Sequence, residues 1–230
     1  DLNGSTLVYG KVEWPSYTHP PPKIIRLDEN VGNISGQNVC FESSQSEWVV
    51  FVSNDAILMP GCLAALHRAA QQLPDCGELG IITWTTKGRI DQAGMDYRWP
   101  GYGISRHSYN ANQVVQTQIV PSIVYGMRRS VWKEMGGFKS ILPCAYEDVD
   151  MGLRLAKAGY KNYVVGQAQA LHYANATLKE MPLVKERFYS ARYQVVHDNF
   201  TGLDRLTRLA AIALVRWATS ILGRRSNSNT

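Results

Sequence analysis

The sequence has few cysteines, no long apolar run and no initiator methionine, and these absences restrict what kind of protein it is. Its four cysteines are widely separated, include no C-x-x-C pair and are too few for a disulfide scaffold, so a reducing, cytoplasmic setting is the simpler interpretation. No apolar run reaches the roughly 18 residues that span a bilayer, and no signal peptide opens the chain. We therefore expect a soluble or peripherally attached protein. The start at Asp1 leaves open that the sequence begins inside a longer chain.

Charge is nearly balanced, with 24 Lys and Arg residues against 19 Asp and Glu residues. This mild basic excess favours contact with phosphates or an anionic membrane surface and does not imply nucleic acid as a partner. The excess is concentrated near the C-terminus, where residues 205–225 include five arginines and no acid. Apolar residues at helical spacing over 203–222 predict an amphipathic basic helix. Such a helix lies in the headgroup region of a membrane, or it packs on the domain or on a second copy, and the sequence leaves these alternatives open.

The rest of the chain alternates between predicted strands and helices. With 230 residues and 45% apolar composition, it can form one compact domain with a substantial core. Strands are predicted at 23–27, 48–53, 79–84 and 119–127, and helices at 60–73 and 151–158. This alternation predicts an α/β fold with a largely parallel or mixed sheet, in which ligands collect at the carboxyl ends of strands. Residues 86–117 are interpreted as long loops or a small hairpin near a site, where an acceptor could be recognised.

Three groups of polar residues are candidates for chemistry. Asp55 directly follows an apolar strand, but an isolated Asp there is also a common turn residue. Glu147, Asp148 and Asp150 form either a catalytic cluster or a set of charges that stabilises a helix N-terminus. His172 follows an apolar run, and a lone His is most often an ordinary packed or surface residue. Taken one at a time, these residues leave each alternative open.

Five motifs follow one another along the chain and make the combination more specific. They are NVGNISGQN (30–38), EWVVFVSNDAILMPGCLAAL (47–66), MRRSVWKEMGGF (127–138), YEDVDMGLRLAKAGYK (146–161) and ERFYSARY (186–193). In order and spacing they resemble the glycosyltransferase family 2 domain, whose members are inverting transferases with the GT-A fold. The resemblance covers about residues 23–195, and the motif that begins at residue 146 is the most specific.

The resemblance implies a GT-A-like α/β fold, a Rossmann-related three-layer sandwich around a mixed, mostly parallel sheet. We expect the family domain over 1–200, the amphipathic basic helix over 201–225 and a disordered polar tail over 226–230. The predicted helical segment therefore follows the sandwich in the chain.

The chain departs from the family pattern in two places. Where many members have Asp-x-Asp, it reads Ser53, Asn54, Asp55 and keeps only the last carboxylate. At its start, only the segment from Asp1 to Thr6 resembles the turn after the family's second strand. The sequence is therefore expected to lack the family's N-terminal strand and helix.

The resemblance assigns roles to the candidate residues. Asp148 is the general base that deprotonates the acceptor hydroxyl, and Glu147 holds acceptor hydroxyls or orients the loop. The adjacent charge of Glu147 would raise the pKa of Asp148. Asp55 and His172 would bind Mn²⁺ or Mg²⁺, which neutralises charge on the diphosphate leaving group. The imidazole ligand favours Mn²⁺.

Further residues are expected around the two substrates. The donor-binding candidates are Asp1, Asn30, Gly32, Asn38, Ser53, Asn54 and Asp55. The candidates for acceptor or phosphate contacts are Arg128, Arg129, Gly137 and Arg192, and each arginine could equally be a surface or salt-bridged residue. Asp150 is expected to cap its helix or to pair with Arg154.

These expectations converge on an inverting glycosyltransferase that makes surface polysaccharide or a related glycan. The donor would be a nucleotide-diphosphate sugar, and the acceptor a glycan or a lipid-linked sugar met at the inner face of the cell membrane. One alternative is a catalytically inactive domain of the same fold that acts as a scaffold or binding module. Another is a metal-dependent hydrolase that directs water with Asp55, Glu147, Asp148 and His172.

Overall fold

The fold is built around one large sheet and one small one. A computed structural model of the chain describes residues 25–139, 145–173 and 184–227. The strands of the large sheet are β1 (Trp48–Val52), β2 (Ala56–Leu58), β3 (Cys76–Thr85), β4 (Ile90–Gln92), β7 (Val114–Thr117), β8 (Val124–Arg128) and β9 (Lys161–His172). Their order is β1-β8-β3-β9-β2, with β4 on β3 and β7 on β9, and β5 (Met95–Arg98) and β6 (Tyr102–Ser105) form a separate hairpin.

Strand direction decides where side chains that are distant in sequence meet. In the described sheet, β3 and β9 pair in parallel, and β8 pairs antiparallel with both β1 and β3. Strands β1, β3 and β9 therefore run in the same direction, and their carboxyl ends share one edge. The predicted α/β class with a mixed sheet is confirmed. Fewer neighbouring strands are parallel than the sequence suggests, because β8 lies between β1 and β3 and runs antiparallel to both.

Helices cover both faces of the large sheet. They are α1 (Gly32–Ser43), α2 (Cys62–Gln72), α3 (Arg129–Glu134), α4 (Glu147–Lys157), α5 (Val184–Asn199) and α6 (Gly202–Asn227). One buried cluster joins α1, α3, α4 and α5 to the sheet and includes Phe41, Trp132 and Leu155. A second cluster joins α2 to the opposite face and includes Leu66 and Leu79. The predicted three-layer sandwich is confirmed by these two separate cores.

The α2 and α4 helices follow the sequence pattern closely. The predicted helix at 60–73 is confirmed as α2, whose buried Ala65, Leu66, Ala69 and Ala70 recur at helical spacing. The predicted helix at 151–158 is also present but begins earlier, at Glu147. Its acidic residues therefore form the first turn of the helix, where the dipole stabilises negative charge.

Two predicted strands differ from the structure. At the described residues of 23–27 no strand forms, and the strand predicted at 119–127 is shortened to β8. Ile119 makes only an isolated bridge to Met95, because Pro121 cannot donate a backbone hydrogen bond to a ladder. Of the two alternatives for 86–117, long loops or a small hairpin, the hairpin is present as β5–β6, and the same segment also contributes β4 and β7 to the large sheet.

The predicted C-terminal helix is observed as α6, which ends at Asn227. The helix thus extends two residues beyond the predicted end at 225, and the last three residues of the tail predicted over 226–230 lie outside the described residues. No helix within the described ranges is both long and apolar enough to cross a membrane.

Candidate active site

The shared carboxyl edge of β1, β3 and β9 brings Asp55 and His172 together. After β1 the chain turns, with the N–H of Ala56 donating to the carbonyl of Ser53 over 3.0 Å. It then enters β2, where Ala56 pairs with His172 at the end of β9. The carbonyl of Asp55 accepts a hydrogen bond of 2.9 Å from the N–H of Tyr173. Asp55 and His172 are thus held side by side by backbone pairing.

The His172 ring lies between two carboxylates. Its Nε2 atom is 3.4 Å from Oδ2 of Asp55, and its Nδ1 atom is 2.7 Å from Oδ2 of Asp91. Thr83 also reaches the same Asp91 oxygen, at 3.4 Å. The hydrogen bond to Asp91, followed by the nearby charge of Asp55, raises the pKa of His172. Sequence analysis identified Asp55 and His172 but missed Asp91, which belongs to none of the five motifs.

The Asp55–His172 pair fits part of a divalent cation site. Within the described ranges, no three His, Cys, Asp or Glu side chains gather so as to hold a metal by themselves. The pair offers one carboxylate oxygen and one imidazole nitrogen 3.4 Å apart, which suits two adjacent ligands of a single ion. The other positions would be filled by diphosphate oxygens and water.

The acids of α4 lie in a second part of the same edge. Glu147, the first residue of α4, is buried, and its Oε1 accepts hydrogen bonds of 2.8 Å from Ser122 and 3.4 Å from Asn33. Asp148 is only half-buried, and its Oδ1 accepts a 2.7 Å bond from the N–H of Val149. The two neighbouring acids therefore differ in accessibility, and Asp148 is the more accessible of the two.

Burial and the repulsion between neighbouring negative charges raise the pKa values of the acidic side chains at this edge. Burial, followed by the negative charge of Glu147, raises the pKa of Asp148 to about 7. Burial also raises the pKa of Glu147 itself, against the opposing effect of its bond from Ser122. Glu78 on β3 is buried too; burial and the charge of Asp148 raise its pKa well above the usual range, and its Oε2 has no partner among the described residues. A general base with a pKa near neutrality is well matched to proton transfer.

The segment before β8 connects the two parts of the site. The carbonyl of Ile123 accepts a 2.9 Å hydrogen bond from the N–H of Ser53, which lies in the turn that carries Asp55. The hydroxyl of the preceding residue, Ser122, donates to Glu147, and the Ser122 backbone is close enough to lower the pKa of Asp148. The Asp55 turn and the start of α4 thus flank the same two residues. This arrangement supports the expectation that the four predicted catalytic and metal-binding residues share one crevice.

Tyr146, directly before the two acids, has an unusual backbone conformation. Its φ of 71° is in the left-handed region, which non-glycine residues rarely adopt outside constrained sites. The Nε of Arg192 donates a 2.9 Å hydrogen bond to the Tyr146 hydroxyl. The Arg192 guanidinium also lies 3.8 Å from the centre of the Tyr102 ring. Arg192 is thus beside the site, held by contacts within the protein, and its predicted role in binding phosphate or acceptor stays a prediction.

Asp150 has a structural role. It is buried, and its carboxylate accepts bonds of 2.7 Å from both Arg154 and Asn199, with Lys139 at 3.3 Å. The predicted pairing of Asp150 with Arg154 is confirmed. Arg154 in turn donates to the carbonyl of Gly137 over 2.9 Å, which ties the Gly-Gly-Phe turn to α4. The contacts of Gly137 therefore support the helix that carries the acids.

Three donor-binding candidates lie in or near α1. The Oδ1 of Asn30 accepts a 2.9 Å hydrogen bond from the N–H of Gly32, which opens the helix with a φ of 77°. The side-chain amide of Asn38 donates to and accepts from the backbone of Phe138, both over 2.8 Å. These contacts organise the protein itself, and contact of the three with the donor stays a prediction. Asp1 lies outside the described residues.

Two predicted arginines are not brought to this edge of the sheet. Arg128 pairs with Trp48, the first residue of β1, and so lies at the opposite end of that strand from Asp55. Its guanidinium donates to the carbonyl of Pro74 over 3.2 Å and lies 4.7 Å from the centre of the Trp48 ring. Arg129 follows it, bonded through its N–H to the carbonyl of Glu47. Because β8 runs antiparallel to β1, the structure does not bring these two arginines to the edge that carries Asp55, and their predicted contact with phosphate or acceptor stays a prediction.

Comparison with known proteins places this geometry in context. The sequence model of glycosyl transferase family 2 matches residues 13–134. An N-acetylglucosaminyl-diphospho-decaprenol L-rhamnosyltransferase of Mycobacterium tuberculosis is 25% identical over 175 residues, which cover 68% of this chain and 57% of that protein. An O-antigen biosynthesis protein of Myxococcus xanthus is 24% identical over 170 residues, covering 68% of this chain and 13% of that protein. The chain thus spans little more than half of the rhamnosyltransferase and a small part of the second relative.

The solved structure of GalNAc-T7 with UDP, GalNAc and Mn²⁺ is similar in fold. It covers 76% of this chain and 37% of its own length, with a TM-score of 0.57 and 12% sequence identity. At that identity the likeness concerns the fold alone, and it confirms the GT-A-like architecture expected from the motifs.

Proposed function

Because the chain belongs to glycosyl transferase family 2, we propose that it moves a sugar from a nucleotide-diphosphate sugar to a hydroxyl of a glycan or lipid-linked acceptor, with inversion at the anomeric carbon. The observation that supports this proposal is that Asp148, a half-buried carboxylate, lies at the same sheet edge as the Asp55–His172 pair. Asp148 can accept a proton there, while Asp55 and His172 would hold the divalent cation that neutralises the departing diphosphate.

Asp148 acts as the general base. Its carboxylate takes the proton of the acceptor hydroxyl while the acceptor oxygen forms a bond to the anomeric carbon. The bond between that carbon and the diphosphate oxygen breaks, and the nucleoside diphosphate leaves with the electron pair. Attack from the face opposite the leaving group inverts the configuration. Glu147, fixed by Ser122, raises the proton affinity of Asp148 and orients the first turn of α4.

Asp55 and His172 bind the divalent cation that accompanies the donor diphosphate. When bound, Mn²⁺ or Mg²⁺ neutralises charge on the phosphate oxygens without any proton transfer. Backbone pairing of Ala56 with His172 holds the two side chains in place before the donor arrives. The chain thus orients the diphosphate at the sheet edge, with its sugar toward Asp148.

A lipid-linked acceptor is proposed from two observations. The relative from Mycobacterium tuberculosis is named for a decaprenol-linked sugar. In addition, α6 exposes Leu203, Leu206, Leu214 and Trp217 along one side, whereas Ile212 is buried on the other. With five arginines and no acid over 205–225, this helix suits the headgroup region of an anionic bilayer. We propose that α6 docks the transferase on the membrane that carries its acceptor, at the inner face.

Acceptor dependence tests the transferase function. The full chain is incubated with Mn²⁺, a panel of UDP-, GDP- and dTDP-linked sugars, and a polyprenyl-diphosphate-linked N-acetylglucosamine, and the release of nucleoside diphosphate is followed. We expect release to require the acceptor and to yield an elongated product. Release without acceptor would favour the hydrolase, and binding of a donor without turnover across the panel would favour the inactive scaffold.

Vesicle binding tests the membrane contact separately. We expect the chain to sediment with vesicles of phosphatidylcholine and phosphatidylglycerol more than with phosphatidylcholine alone, and Leu214→Glu to reduce this binding. Leu63→Glu is the matched control, because Leu63 is an exposed apolar residue of α2 on another part of the molecule. Concentration-dependent dimers that Leu214→Glu disrupts, without vesicle binding, would show that a second copy covers the helix.

A further inference from the structure

Asp91 occupies an irregular position in the sheet beside the proposed metal ligands. Strand β4 pairs antiparallel with β3, with Thr83 opposite Gln92 and Trp84 opposite Ile90. Adjacent residues of β3 therefore face residues of β4 that are two apart, and Asp91 is the extra, bulged residue between them. A β-bulge re-aims a side chain relative to a regular ladder, and bulges are common beside active sites. Here the bulge directs the Asp91 carboxylate to the ring of His172.

The contacts of His172 are unequal and lie on opposite sides of the ring. Asp91 is 2.7 Å from Nδ1, a full hydrogen bond, whereas Asp55 is 3.4 Å from Nε2. The two ring nitrogens point away from each other, so an ion at Nε2 cannot also contact Asp91. A neutral imidazole carries one proton, and two carboxylates compete for it. The shorter contact favours the proton on Nδ1, which leaves the Nε2 lone pair directed at Asp55.

We propose that Asp91 is a positioning residue that fixes the ring and tautomer of His172, so that Nε2 and the Asp55 carboxylate present two ready ligands to a divalent cation. This inference rests on the proposed metal-assisted function. The physical reason is that a metal-binding His usually donates its other N–H to a carboxylate or carbonyl, which orients the ring and increases its basicity as a ligand. Without Asp91, the Nε2–H tautomer would donate to Asp55 and block the ligand nitrogen.

Thr83 and the β3–β9 pairing complete the arrangement. The Thr83 hydroxyl lies 3.4 Å from the same Asp91 oxygen that meets His172. Thr85 of β3 pairs with His172 of β9, so both partners of Asp91 belong to neighbouring central strands. The side chain of His172 is 12% exposed and that of Asp91 is 20% exposed, against 30% for Asp55. The carboxylate that would bind the metal is thus the most accessible of the three groups, and the one that orients the ring lies deeper.

Mn²⁺ binding to the full chain, measured from the electron paramagnetic resonance signal of free Mn²⁺, tests the proposal. We expect Asp91→Asn to weaken Mn²⁺ binding about 10- to 100-fold, as changes of such outer partners typically do. Asp75→Asn is the matched control, because Asp75 also contacts two side chains, Lys161 and Tyr163, but lies before β3 at the other end of the strand. We expect the control to bind Mn²⁺ as the unchanged chain does.

A second measurement separates positioning from simple stabilisation of the fold. Nitrogen NMR of ¹⁵N-histidine-labelled chain, at a pH where the ring is neutral and without metal, reports the tautomer of His172. We expect the Nδ1–H form in the unchanged chain and a shift toward the Nε2–H form in Asp91→Asn. An Nε2–H form in the unchanged chain would overturn the proposal, even if Asp91→Asn did not fold.

The outcomes distinguish this inference from the proposed function. If Asp55→Asn and His172→Asn abolish Mn²⁺ binding and Asp91→Asn leaves it unchanged, the metal site stands and the role of Asp91 is wrong. If the unchanged chain does not bind Mn²⁺, both the metal-assisted function and the role of Asp91 are overturned.

Discussion

Glu147 and Asp148 follow one another in the first turn of α4, yet their carboxylates have different surroundings. Glu147 is buried and accepts a 2.8 Å hydrogen bond from the Ser122 hydroxyl, whereas Asp148 is half-buried and accepts a 2.7 Å hydrogen bond from the N–H of Val149. Their proximity makes simultaneous ionisation costly. Asp148, the less buried member of the pair, is therefore the one that combines the greater accessibility with a pKa of about 7.

Replacing Asp148 with Asn is expected to remove proton abstraction and leave the donor site intact. General base catalysis contributes roughly 10²- to 10⁴-fold, so kcat is expected to fall by that order. Donor binding, measured by calorimetry in the presence of Mn²⁺, serves as the internal control and should not change. A variant that keeps most of its turnover would exclude Asp148 as the base.

The pH dependence of transfer is expected to follow the ionisation of Asp148. The ionised form is the base, and its pKa is raised to about 7, so kcat should rise with pH through neutrality and then level off. In Glu147→Gln the neighbouring negative charge is absent, and the midpoint should move to lower pH. It should not return to the value of a free Asp, because burial is the larger cause of the shift. A profile whose midpoint is the same in both proteins would show that Glu147 does not tune the base.

Much of this site could be predicted from the sequence because its parts follow local rules. An apolar strand followed by Asp55 predicts a carboxylate at a strand end, and the acids before an apolar helical pattern predict the start of α4. That these segments belong to one site was predicted from the order of the motifs and not from the chemistry of single residues. To predict that these segments meet at one edge of the sheet, the directions of β1 and β9 must be known, and the periodicity of apolar residues does not reveal them.

The residues that sequence analysis missed depend on register or on a long-range contact. Asp91 reaches His172 through a bulge, which no local pattern indicates. Ser122 bonds Glu147 from a segment interpreted as strand. Conversely, Arg128 follows an apolar strand just as Asp55 does, but β8 runs the other way and takes it to the opposite edge. Sequence position after a strand therefore predicts a site residue only when the strand direction is known.

The buried Asp150 is expected to be important for stability. It receives hydrogen bonds from Arg154 and Asn199 away from solvent. Truncation to Ala leaves Arg154 without its charged partner, so the free energy of unfolding should fall by about 3–5 kcal/mol. Asp204→Ala is the matched control, since Asp204 pairs with Arg208 at the same helical spacing but at an exposed position, and should cost roughly 0.5 kcal/mol. Urea unfolding measures both, and equal losses would contradict this account.

The two glycines of the Gly-Gly-Phe turn are expected to tolerate alanine differently. Both have a φ of 71°, so each substitution carries a backbone cost of about 1–2 kcal/mol. A Cβ at Gly136 meets nothing within 4 Å, whereas one at Gly137 would lie 2.9 Å from Cζ2 of Trp132. Gly137→Ala should therefore lose about 1–3 kcal/mol more than Gly136→Ala. Thermal or urea unfolding compares the two, and a smaller loss for Gly137→Ala would mean that this turn is packed less tightly.

The most direct test of the central claim is calorimetric binding of UDP, GDP and dTDP with and without Mn²⁺, in the unchanged chain and in Asp55→Asn and His172→Asn. We predict that Mn²⁺ strengthens binding of at least one nucleoside diphosphate, and that either substitution removes this gain while metal-free binding persists. Affinities that Mn²⁺ does not change, or a gain that survives in both variants, would contradict a donor diphosphate bound through Asp55 and His172.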